Sequence, residues 1–154
     1  LQDDTLIHRT LPVKPFQVVV VVPKLDDYTI PTVPEQIKRA DALNNMARIP
    51  LIIEALREAD MSLLASVLDD QILYPRLIAQ ISGFGHVAEL AARRGALRVL
   101  PVGGGPALLA LAESRHDRVA EEMRLAFKSA GIEAQAWVLP VDTQGVVISL
   151  TQSV

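Results

Sequence analysis

The fold of this chain is decided by residues 95–111, which read GALRVLPVGGGPALLAL. Three consecutive glycines, Gly103, Gly104 and Gly105, are closed by Pro106 and lie between two short apolar runs, and no helical pattern follows them. The phosphate loops of P-loop and dinucleotide-binding proteins run from a strand directly into a helix, so this loop is of a different kind. The apolar runs at 96–101 and 107–112 have the length of buried strands. The pattern therefore predicts a strand, a glycine loop and a second strand.

The glycine loop has two interpretations on its sequence alone. Three glycines let the backbone take positive φ and bring its N–H groups close to a ligand or to another protein surface. The alternative is a tight glycine hairpin that binds nothing. The pattern leaves both open.

The composition excludes several classes of protein. With 154 residues, 50% of them hydrophobic, the chain predicts one compact domain over residues 1–154. The net charge is −3 and there is no run of Lys or Arg, so we expect no nucleic-acid partner, which would need clustered cations. Apolar runs such as 18–23 are far shorter than the roughly 20 residues of a membrane helix, so we expect no membrane partner.

The residues available for metal and redox chemistry are few. The chain has no Cys, which excludes disulfides and thiolate chemistry and indicates a cytoplasmic location. His86 and Glu89 share one side of a predicted helix, but two ligands do not make a site, so we expect no metal centre. The chain begins at Leu1 rather than at Met, and we interpret it as a piece of a longer protein.

Hydrophobic periodicity predicts three strands besides the two around the glycine loop. The β-branched run Phe16–Val22 is predicted to be buried on both faces. Residues 132–138 alternate apolar and polar side chains and predict a half-exposed strand. A last strand is predicted at 146–150.

A long helical pattern follows the first strand. Residues 35–56 carry apolar side chains every three to four positions, and Pro50 should kink or split this helix. Asp60 is predicted to cap a second helix. Asp69 and Asp70 are predicted to form a solvated helix end rather than a catalytic carboxylate pair.

Two further helices lie on either side of the predicted central strands. Residues 83–94 predict a helix that ends at Gly95. The last helix is predicted to be capped by Ser114 or Asp117, with its inward side formed by Val119, Met123, Ala126 and Ala130. The order of strand, helices, strand, strand, helix and strand predicts an α+β fold, the ferredoxin-like βαββαβ sandwich with extra helices in the first crossover.

Residues 95–111 resemble the third signature motif of the GHMP small-molecule kinases, in which Gly-x-Gly-Pro joins two apolar strands. Within that group the chain is most similar to the C-terminal half of the homoserine kinases, from the first strand to about Val141. Further family-like features are the Pro34-Glu35 entry into a helix, the Asp and the Asn-Arg pair of that helix within 41–48, Leu68-Asp69-Asp70, Pro75, Gly83-Phe84 and the Val-Leu-Pro-Val ending at 138–141.

The resemblance implies an activity that is shared between two halves of a longer protein. It implies phosphoryl transfer from ATP to the hydroxyl of homoserine, a small-molecule substrate, on the way to threonine. ATP and Mg would be bound mainly by an N-terminal half absent from this chain, which would be its partner in the same protein. We therefore expect no catalytic residue in this chain and no activity from it alone. A monomer and a homodimer both stay open.

The resemblance also implies which residues border the site. Gly103, Gly104, Gly105 and Pro106 would pack against the ATP loop and border the path of the phosphoryl group. Asn45 and Arg76 would lie on the substrate side.

The chain departs from the family pattern at its substrate side. Val102 stands where the family has Ser, and Leu77 stands where it has an arginine, with Arg76 one position early. A second family arginine, before the first helix, has no counterpart, which predicts a weaker hold on a carboxylate. Two alternatives therefore stay open: another GHMP kinase with a different substrate, or a non-catalytic ferredoxin-like regulatory or small-molecule-binding module.

Overall fold

A computed structural model describes residues 10–145 of the chain. Its elements in chain order are β1 (Gln17–Pro23), α1 (Arg39–Glu58), α2 (Met61–Val67), α3 (Tyr74–Gln80), α4 (Phe84–Arg93), β2 (Ala96–Pro101), β3 (Leu108–Ala112), α5 (His116–Ser129) and β4 (Ala134–Pro140). The strand predicted at 146–150 lies outside the described residues.

The four strands form one antiparallel sheet in the order β2-β3-β1-β4. Val19 on β1 lies opposite Ala110 on β3 and Val138 on β4, so β1 is a central strand. With helices in both crossovers, this is the predicted ferredoxin-like βαββαβ arrangement, and the prediction of the fold class is confirmed.

The main core lies between one face of the sheet and the helices α4 and α5. Its fully buried side chains include Val19 and Val21 from β1 and Met123 and Phe127 from α5. The prediction that β1 is buried on both faces is wrong, because Val22 is exposed. On that second face, Val18 packs into a smaller cluster with α1 and α2, and this cover does not extend over Val22.

Helix ends follow local sequence signals in most places. The Asp60 carboxylate accepts a hydrogen bond from the Leu63 N–H at 2.8 Å, which confirms the predicted cap of α2. The predicted caps of α5 at Ser114 and Asp117 are wrong, because Arg115 occupies the capping position with φ of 60° and no side-chain bond. Ala130, predicted to face inward, is exposed after the end of that helix.

Helix α1 differs most from its prediction. It begins at Arg39 and continues through Pro50 without being split, although proline removes one backbone donor. The apolar stripe that should pack on the core is exposed at Leu43, Met46, Ile49 and Ile53. The helix instead contacts the small cluster through Ala55, with Ile52 and Leu56 beside it.

None of the helices in residues 10–145 combines the length and apolar character that a bilayer crossing needs.

Candidate functional site: the glycine loop and the start of helix α1

The glycine loop joins β2 to β3 as a tight connection. The Val102 N–H donates to the Ala107 carbonyl at 3.0 Å and closes the loop. Gly103 and Gly104 take φ of 66° and 75°, the left-handed region in which an L side chain is strained. The predicted strand–loop–strand unit with positive φ at a glycine is confirmed.

The loop exposes backbone donors that the rest of the described chain does not use. Within residues 10–145 the N–H groups of Gly103, Gly104 and Gly105 donate no hydrogen bond. A Cβ added at Gly103 or Gly105 would meet no atom within 4 Å, so this side of the loop is open. Free N–H groups of successive residues can bind an anion, such as a phosphate oxygen.

The other side of the loop rests on the segment after β1. The Tyr28 hydroxyl donates to the Gly104 carbonyl at 2.8 Å, across 76 positions of sequence. Ile30 lies beside the same glycine, with its Cγ2 at 3.6 Å from where a Cβ on Gly104 would be. Partial burial raises the pKa of the Tyr28 hydroxyl.

Asn45, predicted on the substrate side, is bound to the linker between α2 and α3. Its Nδ2 donates to Asp70 Oδ1 at 2.7 Å, and its Oδ1 accepts from the Gln71 N–H at 3.1 Å. Asp70 also accepts from the N–H groups of Ile72 and Leu73 at 2.7 and 3.2 Å and so fixes the start of α3. In this structure, both ends of the Asn45 amide hold the linker in place.

Asp69 joins two arginines from different elements. Arg98 on β2 donates to its Oδ1 at 2.6 Å, and Arg48 on α1 lies 3.5 Å from its Oδ2. The prediction that Asp69 and Asp70 form a solvated helix end is wrong, because both lie in the linker after α2 and are bound by neighbours. The sequence does carry one signal for the role of Asp70: an Asp placed shortly before a helix that has Pro in its first turn often binds the backbone N–H groups that follow it.

Arg76 lies at the mouth of a cavity of about 240 Å³ between the starts of α1 and α3. The same cavity is lined by Lys38, Asp41 and Gln71, the residue that Asn45 holds. Arg76 is exposed and forms no ion pair within the described part of the chain. Asn45 and Arg76 are thus brought to one region, and residues 30–38 connect it along the chain to the glycine loop.

Comparison with known proteins identifies homologues of this chain. No family model matches the chain. Among curated proteins it is 33% identical over 132 residues to a homoserine kinase of Pyrococcus furiosus, with 82% of this chain and 44% of that protein covered. It is 36% identical over 137 residues to a homoserine kinase of Picosynechococcus sp., with 84% and 45% covered. The chain is a homologue of the homoserine kinases.

A solved structure agrees with this homology. The crystal structure of homoserine kinase from Cytophaga hutchinsonii matches with a TM-score of 0.76 and 25% identity over 90% of this chain and 45% of that one. A putative homoserine kinase from Listeria monocytogenes shares the fold, with a TM-score of 0.56 and 19% identity.

The homoserine kinase homology confirms the resemblance deduced from the glycine motif and does not favour the non-catalytic module. The chain spans a little less than half the length of the homoserine kinases it matches. The contact of Tyr28 with the loop was missed by sequence reasoning, since a single aromatic residue in a loop carries no signal for a partner so distant in sequence.

Proposed function

We propose that this chain is the C-terminal domain of an ATP-dependent kinase that phosphorylates the hydroxyl of homoserine. The observation that carries the proposal is the glycine loop, with its unused backbone donors, in a chain homologous to homoserine kinases. ATP and Mg would be held mainly by the other half of the protein. The substrate is a small molecule, and we place the protein in the cytoplasm.

The loop suits a supporting role in phosphoryl transfer. The reaction depends on positioning and on neutralising charge on the moving group. Backbone N–H groups of Gly103, Gly104 and Gly105 supply fixed partial positive charge without a side chain that would block approach. Tyr28 and Ile30 support the loop from behind, so its open side is the one available to the nucleotide.

The cavity at the start of α1 suits the ends of an amino acid. Arg76 and Lys38 offer positive charge for a carboxylate, and Asp41 offers a carboxylate for an ammonium group. This placement supports Arg76 as a substrate residue in this chain in place of the displaced family arginine. Asn45 would act by holding Gln71 in the cavity wall.

The test compares the 154-residue chain with the protein extended by the segment encoded upstream of Leu1. ADP formation is measured with Mg·ATP, with and without homoserine. We expect homoserine-dependent turnover only from the extended protein, and a raised KM for homoserine with little change in kcat in its Arg76→Ala variant. Turnover by the 154-residue chain alone, or an extended protein that ignores homoserine, would contradict the proposal.

A further inference from the structure

Exposed apolar side chains are concentrated in one part of the chain. Thirteen large hydrophobic residues are exposed in the described structure, and eight of them fall within residues 30–53. Leu43, Met46, Ile49 and Ile53 recur at intervals of three and four residues and therefore share one side of α1. We call the following seven residues the 30–53 surface: Ile30, Val33, Ile37, Leu43, Met46, Ile49 and Ile53.

The apolar side of α1 faces away from the domain to which the helix belongs. On the inner side of its first half, Asn45 and Arg48 bind the α2–α3 linker through polar contacts. A surface helix normally turns its apolar stripe toward the core and its polar side outward. The reversal in α1 means that its outer stripe does not serve the packing of residues 10–145. Contiguous exposed apolar surface of this kind marks a site of interaction.

The surface begins at the candidate site. Ile30, its first residue, contacts the glycine loop at Gly104, and Ile37 lines the cavity that contains Arg76. From there the surface continues along α1. Whatever covers it therefore also lies beside the loop and the cavity.

A second copy of this chain is a poor occupant because of charge. Along the helix axis the midpoint between Leu43 and Ile53 is position 48, and Arg39 and Arg57 lie at equal distances on either side of it. An antiparallel symmetric pair of α1 helices would place Arg39 against Arg57 of the other copy. A parallel pair would place each arginine against its own counterpart. Both arrangements place arginines opposite each other, and of these two arginines only Arg57 has an ion-pair partner, Glu54, within the described residues.

The homoserine kinases that this chain matches are about twice its length, so a region of similar size stands beside the matched one in those proteins. We propose that the 30–53 surface is the face on which the ATP-binding half of the same protein packs, through an apolar surface of its own. This inference rests on the proposed function. In this proposal, α1 joins the two halves of the protein. The 30–38 segment aligns the glycine loop with the nucleotide.

The test introduces a charge into the surface and a matched charge elsewhere. Ile53→Glu and Met46→Glu are compared with Leu125→Glu on α5, because Ile53 is 44% exposed and Leu125 43%. Each variant is made in the 154-residue chain and in the protein extended upstream of Leu1. Melting temperature, molar mass in solution and amide exchange of residues 39–58 are measured.

We expect the 154-residue chain to be monomeric and to melt unchanged in all three variants. In the extended protein, Ile53→Glu and Met46→Glu should lower the melting temperature by several degrees and speed amide exchange in α1, whereas Leu125→Glu should do neither. An equal effect of Leu125→Glu, or none of Ile53→Glu, would overturn the inference. So would an Ile53→Glu variant that destabilises the 154-residue chain itself, since the surface would then be covered within this chain.

Two other outcomes would also overturn the proposed occupant. A dimeric 154-residue chain that Met46→Glu converts to a monomer would assign the surface to a second copy. The absence of an upstream coding segment would remove the proposed occupant altogether. These readouts do not depend on catalysis: an extended protein that fails to phosphorylate homoserine but loses stability through Ile53→Glu would refute the activity and leave the interface standing.

Discussion

Alanine substitutions at neighbouring glycines should have opposite effects on stability. Gly104 takes φ of 75°, where an L residue costs about 1–2 kcal/mol. A Cβ there would meet Ile30 Cγ2 at 3.6 Å, an ordinary contact that adds no clash. Gly105 does not take a positive φ, and the space around it is open. Alanine there should therefore leave the stability unchanged or raise it by about 0.4–1 kcal/mol, because alanine reduces the conformational freedom of the unfolded chain.

The difference between the two variants is accessible to thermal unfolding of the 154-residue chain. A gap of about 1–3 kcal/mol corresponds to roughly 2–12 °C in Tm for a domain of this size. With unfolding monitored by circular dichroism, we expect the Tm of Gly104→Ala to lie below that of Gly105→Ala by that amount. Equal Tm values, or a lower Tm for Gly105→Ala, would refute the described loop conformation.

Three further predictions concern the surroundings of the loop and the linker. Asp69→Ala should lower the free energy of unfolding, measured by urea titration, by about 1–2 kcal/mol because it leaves two partly buried arginines without their carboxylate. Glu54→Ala removes an exposed ion pair and should change the same free energy by less than about 0.5 kcal/mol. Similar losses in the two variants would mean that Asp69 is only a surface charge. Burial raises the pKa of both tyrosines, Tyr28 and Tyr74, so the titration of their absorbance at 295 nm should have its midpoint above the usual pKa of 10.0. Any stability that depends on the neutral hydroxyls should be lost as the pH rises through that range. A midpoint at or below 10.0 would contradict this prediction. Val102→Ser introduces the hydroxyl that the resemblance to homoserine kinases implies at the edge of the loop. It should be tolerated, with kcat for homoserine in the extended protein unchanged or raised; a loss of turnover without a loss of Tm would show that the site depends on the valine.

The fold could be predicted from this sequence because its signals are local. The two apolar runs on either side of the glycines, the alternation of residues 132–138 and the carboxylate of Asp60 each determine structure within a few positions. Sheet order then follows from the order of the elements. Periodicity cannot say which way an apolar stripe faces, and the stripe of α1 points outward rather than toward the core.

The site could be predicted only in part. The glycines are visible because glycine adopts without strain the positive φ that Gly103 and Gly104 take, whereas other residue types do so at a cost. Contacts made across the fold leave no trace in local sequence, and for this reason the contacts of Tyr28 and Asp69 could not be predicted. A side chain in a loop or linker acquires its partner only when distant elements are brought together by the sheet.

The central claim, that the glycine loop serves phosphoryl transfer, is tested most directly by Gly105→Val in the extended protein. Gly105 does not take a positive φ, and a Cβ added there meets no atom within 4 Å; Gly85→Val on α4 is a matched control because the same holds for Gly85. We predict that Gly105→Val lowers kcat for homoserine phosphorylation by about 10²-fold, the loss that a small misplacement of reacting groups brings, with Tm within about 2 °C of the unsubstituted protein. Gly85→Val should leave both quantities unchanged. Wild-type turnover per folded molecule in Gly105→Val would contradict the claim and make the loop an ordinary turn.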